Sequence, residues 1–137
     1  SRRINSLTGK EHFMMDGYRR GWALRYLREA KAELEAAQKM PYMAPSLVLE
    51  AIRKARSAIY YSLGEPAFIE ILLREEVLKN PLTNDSVLRF LMEIEGMVQQ
   101  LAQLEEVNSD AMMKQADTLV GIATDIVETL TEEKFEN

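Results

Sequence analysis

The sequence predicts an all-α protein, about five helices in an antiparallel up-and-down bundle with no sheet. Three observations lead there. Apolar residues recur at spacings of three and four in five successive stretches, the period of one helix face. Proline, glycine and asparagine fall between those stretches, where helices stop and start. No run alternates apolar and polar residues as a half-buried strand would.

The chain has 137 residues, 47% hydrophobic and 28% charged, which suits one globular domain rather than two or a disordered segment. Residues 1–16 are polar and mixed, and are expected to form a flexible N-terminal arm with a helical turn around Glu11–Met15. Residues 17–137 are expected to form a single helical-bundle domain. Gly17 and Gly21 bracket two arginines, so their spacing suits an irregular helix start or a close backbone approach rather than a membrane helix pair.

The first helix is expected to run from about Asp16 to Lys39, with Leu24, Leu27, Ala30, Leu34 and Ala37 as its apolar stripe. Pro41 and Pro45 end it. Ser46 is the expected N-cap of a second helix reaching Leu63, in which Ala51, Ala55, Ala58 and Ser62 form a stripe small enough for close helix approach. Gly64 then suits the end of that helix and Pro66 the first turn of the next. The third helix, to about Leu78, is expected to bury Phe68, Ile69, Leu72, Leu73 and Val77. Thr83 or Asn84 should cap a fourth helix reaching Glu106, with Val87, Leu91, Ile94, Val98 and Leu101 on its seam. The fifth places Met112, Ala116, Leu119, Ala123, Ile126 and Leu130 in a heptad-like rhythm. Its short connection to the fourth predicts a packed antiparallel hairpin.

Composition excludes several chemistries. Without cysteine there is no disulfide, zinc–thiolate site or cysteine nucleophile, and a reducing, cytoplasmic setting is the expectation. No apolar run is long enough to span a bilayer, and the N-terminus lacks a signal core, so no membrane association is expected. The only histidine, His12, lies in the arm, and no G-x-S-x-G elbow occurs, so no catalytic residue is assigned. A di-iron bundle would need Glu-x-x-His pairs, which are absent. All-α nucleotide pyrophosphohydrolases use Glu-x-x-Glu pairs, and the one such spacing here, Glu133 to Glu136, sits at the C-terminus. Asp110, Asp117 and Asp125 lie two turns apart and read as a solvated face, so neither metal nor cofactor is expected.

Net charge is −5, but its distribution is uneven. Residues 1–63 hold 12 Lys and Arg against 6 Asp and Glu; residues 64–137 hold 5 against 16. Opposite charges at the rims of packed helices account for such polarity. Within the basic half, Arg25 and Arg28 on the first helix and Arg53 and Arg56 on the second form a candidate anion- or nucleotide-binding patch, since guanidinium forks suit phosphate. Tyr26, Tyr60 and Tyr61 lie nearby in sequence and could stack on bases. Eight methionines suit an adaptable contact surface, and Met112, Leu119 and Ile126 are the candidate self-association surface.

Tyr26-Leu27-Arg28-Glu29-Ala30 with Leu34, followed by Ala51, Ala55 and Ala58-Ile59-Tyr60-Tyr61, resembles the HEPN-type helical domains over residues 20–80. That resemblance implies an up-and-down bundle, often dimeric, associated with RNA cleavage or nucleotide-related systems. Ribonuclease members carry an Arg followed four to six residues later by His. No such pair occurs here, which implies a non-catalytic member. The sequence therefore points to a non-enzymatic bundle that mediates protein–protein contacts as a homodimer or with another protein. The alternative is an RNA- or nucleotide-binding accessory domain using the arginine patch.

Overall fold

The computed structural model describes the backbone of residues 9–103 and 109–136, and the side chains of 17–103 and 110–131. Five α-helices follow one another: α1 (Gly9–Lys39), α2 (Ala44–Leu63), α3 (Pro66–Lys79), α4 (Ser86–Gln103) and α5 (Ser109–Glu136), with a 3-10 turn, Pro41–Met43, between α1 and α2. Among the described residues there is no strand, in agreement with the sequence. Helix α1 starts at Gly9, so part of the expected arm is helical; Ser1–Thr8 and the side chains of His12, Glu105, Glu106, Glu133 and Glu136 lie outside the described residues.

The bundle is organised around α2. It meets α1 along its length, packs on α5, and also touches α3 and α4. The cause is its stripe of small residues: Ala51, Ala55 and Ala58 are fully buried and Ser62 nearly so. Ala23, Ala30 and Ala37 of α1 are buried as well, interleaved with buried Leu27 and Leu34. Small side chains on both helices let the backbones approach, while Val48, Ile52 and Ile59 of α2 fill the space towards the other helices. Buried hydroxyls would cost free energy if left unpaired. Ser62 donates to the Ala58 carbonyl at 2.9 Å and Thr131 to that of Val127 at 2.8 Å.

Local chemistry sets the helix ends. Ala44 and Pro45 are inside α2, because proline needs no amide partner in a first turn; Met43 is the cap residue, and Ser46 donates back to its carbonyl at 3.3 Å instead of capping. The Gly64 amide closes α2 on the Tyr60 carbonyl at 3.0 Å. A Cβ on Gly64 would lie 3.0 Å from Ile69 Cδ1, so a side chain there would require Ile69 to give way by a few tenths of an ångström. At α4 the cap is Asp85 rather than Thr83 or Asn84: its carboxylate accepts the Leu88 amide at 2.9 Å, while Thr83 accepts the Asp85 amide.

Four expectations are corrected. Helices α4 and α5 do not form a closely packed hairpin: among the described residues, α4 makes its close backbone contacts with α2 and α3, and α5 with α2 and α1. The core of α5 follows Met112, Ala116, Leu119/Val120, Ala123 and Val127, because a seven-residue repeat drifts by about 20° per heptad on a straight helix. That drift leaves Ile126 only partly buried. Gly17 and Gly21 lie within the continuous α1, exposed and with no atom close enough for either to permit a backbone contact. Most consequentially, α3 buries none of its residues, and Phe68 and Leu72 are exposed at 60% and 43%.

Enlarging the α1–α2 seam should be costly. Ala55→Leu is expected to lower unfolding free energy by about 1–3 kcal/mol in chemical denaturation, the usual effect of overpacking. Ile122→Ala, at a position 40% exposed, should stay within about 0.5 kcal/mol of the parent. Equal effects would refute the tight-seam account.

Candidate functional site

The four arginines of the expected patch do not converge. Arg25 bonds Glu29 through Nε at 2.9 Å, one turn along α1. Arg53 reaches Glu50 at 3.2 Å on its own helix. Arg56 turns towards α4, where one terminal nitrogen donates to both oxygens of Glu95, at 2.9 and 3.0 Å. Arg28 is exposed and makes no ion pair among the described residues. Three of the four charges are thus matched by carboxylates, and Arg56 serves to tie α2 to α4.

The basic residue that does bridge α1 and α2 is Lys54, which bonds Glu33 at 2.8 Å and Glu29 at 3.2 Å. The Glu33 bond raises the Lys54 pKa, burial opposes that rise, and the Glu29 bond reinforces it. Glu29 is held below the usual carboxylate range by Arg25 first and Lys54 second. Beside this network lies an aromatic cluster. Tyr61 of α2 stacks on Trp22 and Tyr26 of α1 with centroids 6.0 and 5.7 Å apart, and Tyr18 meets Trp22 edge-on at 6.4 Å. The Arg25 guanidinium lies 4.9 Å from the Trp22 ring centroid. Spacing of four along α1 places Tyr18, Trp22 and Tyr26 on one face, a pattern legible in the sequence.

The candidate self-association residues face inward. Met112 and Leu119 are core residues, 3% and 7% exposed, and Ile126 packs against that core. The large exposed apolar side chains lie elsewhere. Phe68, Ile71, Leu72 and Leu78 project from α3 at steps of three, one and six, with 60%, 55%, 43% and 83% of their surfaces open, and Leu82 follows at 89%. The opposite side of α3 is also apolar, through Leu73 and Val77, and does not seal against α4. A groove of about 570 Å³ runs between them, with Tyr60, Leu88, Leu91 and Met92 among its walls. Its polar rim is neutralised in pairs: Arg74 bonds Glu70 at 2.8 Å, and Glu95 is held by Arg56. Burial pushes the Tyr60 hydroxyl up, with Arg56 partly offsetting it, so the phenol stays neutral. Gly96, inside α4, also lines this groove, and no atom lies within 4 Å of where its Cβ would be.

No cluster of three or more His, Cys, Asp or Glu side chains is placed to hold a metal among the described residues, and Asp110, Asp117 and Asp125 are exposed. No helix among them is long and apolar enough to cross a membrane. Comparison with family models, curated proteins and solved structures finds no match.

The Lys54 network gives a pH-dependent signature. A raised lysine pKa contributes stability fully present below the ordinary value, about 10.4, and lost as pH climbs through the raised one. A lowered glutamate pKa contributes stability present above about 4.3 and lost as pH falls through the lowered value. The Tm difference between the wild type and Lys54→Met is therefore expected to be greatest across the neutral plateau. It should shrink at both extremes and with added salt. A pH-independent difference would mean Lys54 acts by packing alone.

Proposed function

We propose that this chain is a non-enzymatic helical scaffold that works through protein contacts, and that α3 is its contact element. The exposure of α3 carries the reading. Apolar side chains of α3 line both the groove and the open side of the helix, yet α3 buries no residue in the isolated chain. Phe68, Ile71 and Leu72 share one exposed side of α3, and exposed apolar patches mark interaction surfaces. Glu70 and Arg74, beside the patch, pair along the helix at 2.8 Å, so a partner would meet those two charges already matched. Self-association is therefore assigned to α3, because Met112 and Leu119 already serve the core.

The test separates folding from contact. Ile71→Ser with Leu78→Ser should keep full helicity, each change costing within about 0.5 kcal/mol, because neither side chain is buried. Native mass measurement of the tagged chain, purified from cells that produce it, should show assemblies heavier than 15.7 kDa for the wild type and none for the variant. If both behave as folded monomers, α3 is not a contact element.

One observation favours a second reading, an RNA- or nucleotide-binding accessory domain of the HEPN-like kind. Half-buried aromatic rings at Trp22, Tyr26 and Tyr61, with Arg25 over Trp22 and exposed Arg28 two residues beyond Tyr26, are the components of a base-stacking surface. Trp22 is the only tryptophan, so its fluorescence reports on this site alone. Short single-stranded RNA should quench it in a salt-sensitive way, and Arg25→Ala with Arg28→Ala should abolish the quenching. Unchanged emission at low salt would eliminate this reading.

A further inference from the structure

From the assignment of α3 as the contact element, we infer that its partner is a second copy of this chain, bound across a two-fold axis with the two α3 helices antiparallel. The area is the first argument. Phe68, Ile71, Leu72, Leu78 and Leu82 together leave roughly 600 Å² of apolar side chain open, most of the ~800 Å² per partner of a standard stable interface. The groove mouth and the polar residues around it supply the remainder.

Self-complementarity is the second. A two-fold interface uses the same patch on both molecules, so the patch must contain both a projection and a recess. Here one helix supplies both. The exposed ridge of α3 and the groove between α3 and α4 adjoin at Leu78, which belongs to each. A partner's ridge laid along the groove mouth fills the recess, while its own recess receives the ridge of the first copy.

Gly96 gives the third argument. Glycine inside a helix weakens it relative to alanine, and nothing in this chain occupies the space over Gly96. A side chain there would project into the groove. Its absence lets an incoming helix approach the α4 backbone, as the alanines of α2 let α1 approach within the chain. The ends of α3 add a fourth: Glu65 precedes its first turn and Lys79 lies in its last. An antiparallel pair brings Lys79 of each copy towards Glu65 of the other and opposes the two helix dipoles.

The chain has no cysteine, so a single introduced thiol gives an unambiguous test. Ile71→Cys should cross-link with a short bis-maleimide to a product of twice 15.7 kDa, whereas Asp117→Cys, exposed on α5, should not. Light scattering over a concentration series should give a dimer for the wild type, and a folded monomer for both Ile71→Lys and Gly96→Phe. A wild type of 15.7 kDa at every concentration, with no preferential cross-link at position 71, overturns the second copy. If the α3 variants are then still fully folded, α3 survives as a surface for a different protein. If Ile71→Lys instead unfolds like a core substitution, the contact-element reading itself fails. A dimer that persists in Gly96→Phe removes the groove from the interface and overturns the proposed packing.

Discussion

Everything in this molecule depends on how closely α1 and α2 can approach. Ala23, Ala30 and Ala37 on one helix and Ala51, Ala55 and Ala58 on the other are all essentially inaccessible to solvent. A seam of small side chains gains dispersion contacts from two backbones brought near each other rather than from large groups interdigitating. The larger α2 residues Val48, Ile52 and Ile59 belong to the same buried core as residues of α4 and α5. One helix can therefore serve as the centre of the bundle because its neighbour takes up so little space.

The charges follow from that arrangement. The basic first half and acidic second half are joined by Arg56 to Glu95 across α2 and α4, while Lys54 is held by α1's own glutamates. Pairs of this type are worth little individually at a surface, and their role is to set which helix lies where. They also consume the cations that would otherwise make a phosphate site. Arg53 and Arg56 are three residues apart, yet Arg53 turns to Glu50 on its own helix and Arg56 to α4. Spacing along one helix shows which residues share a face, but not which neighbouring carboxylate reaches each one first.

That distinction marks how far the sequence could be read. The helices, the alanine stripe of α2 and the turn at Gly64-Glu65-Pro66 were legible, because each rests on periodicity or on the backbone needs of glycine and proline. The α4–α5 hairpin was not. A short connection makes two helices neighbours in the chain, but α2 offered both a better apolar partner. Ile126 misled for a related reason: the heptad reading holds only for helices that supercoil, and on α5 the buried line moves to Val127. The aromatic row was half legible. Tyr18, Trp22 and Tyr26 announce themselves at steps of four, but only the fold brings Tyr61 onto them.

Helix α3 is where sequence and fold disagree, and the disagreement has a physical content. Periodicity treats apolar residues as inward-facing, so it assigns Phe68, Ile69, Leu72, Leu73 and Val77 to a core. Those residues spread around about half of the helix, and one neighbouring surface can cover only part of it. The chain uses the side bearing Ile69 against the Gly64 turn and leaves the ridge bearing Phe68 and Leu72 open. Retaining an exposed apolar ridge costs solubility and gains nothing for an isolated bundle. The proposed contact would complete α3 by laying a second surface against that open ridge.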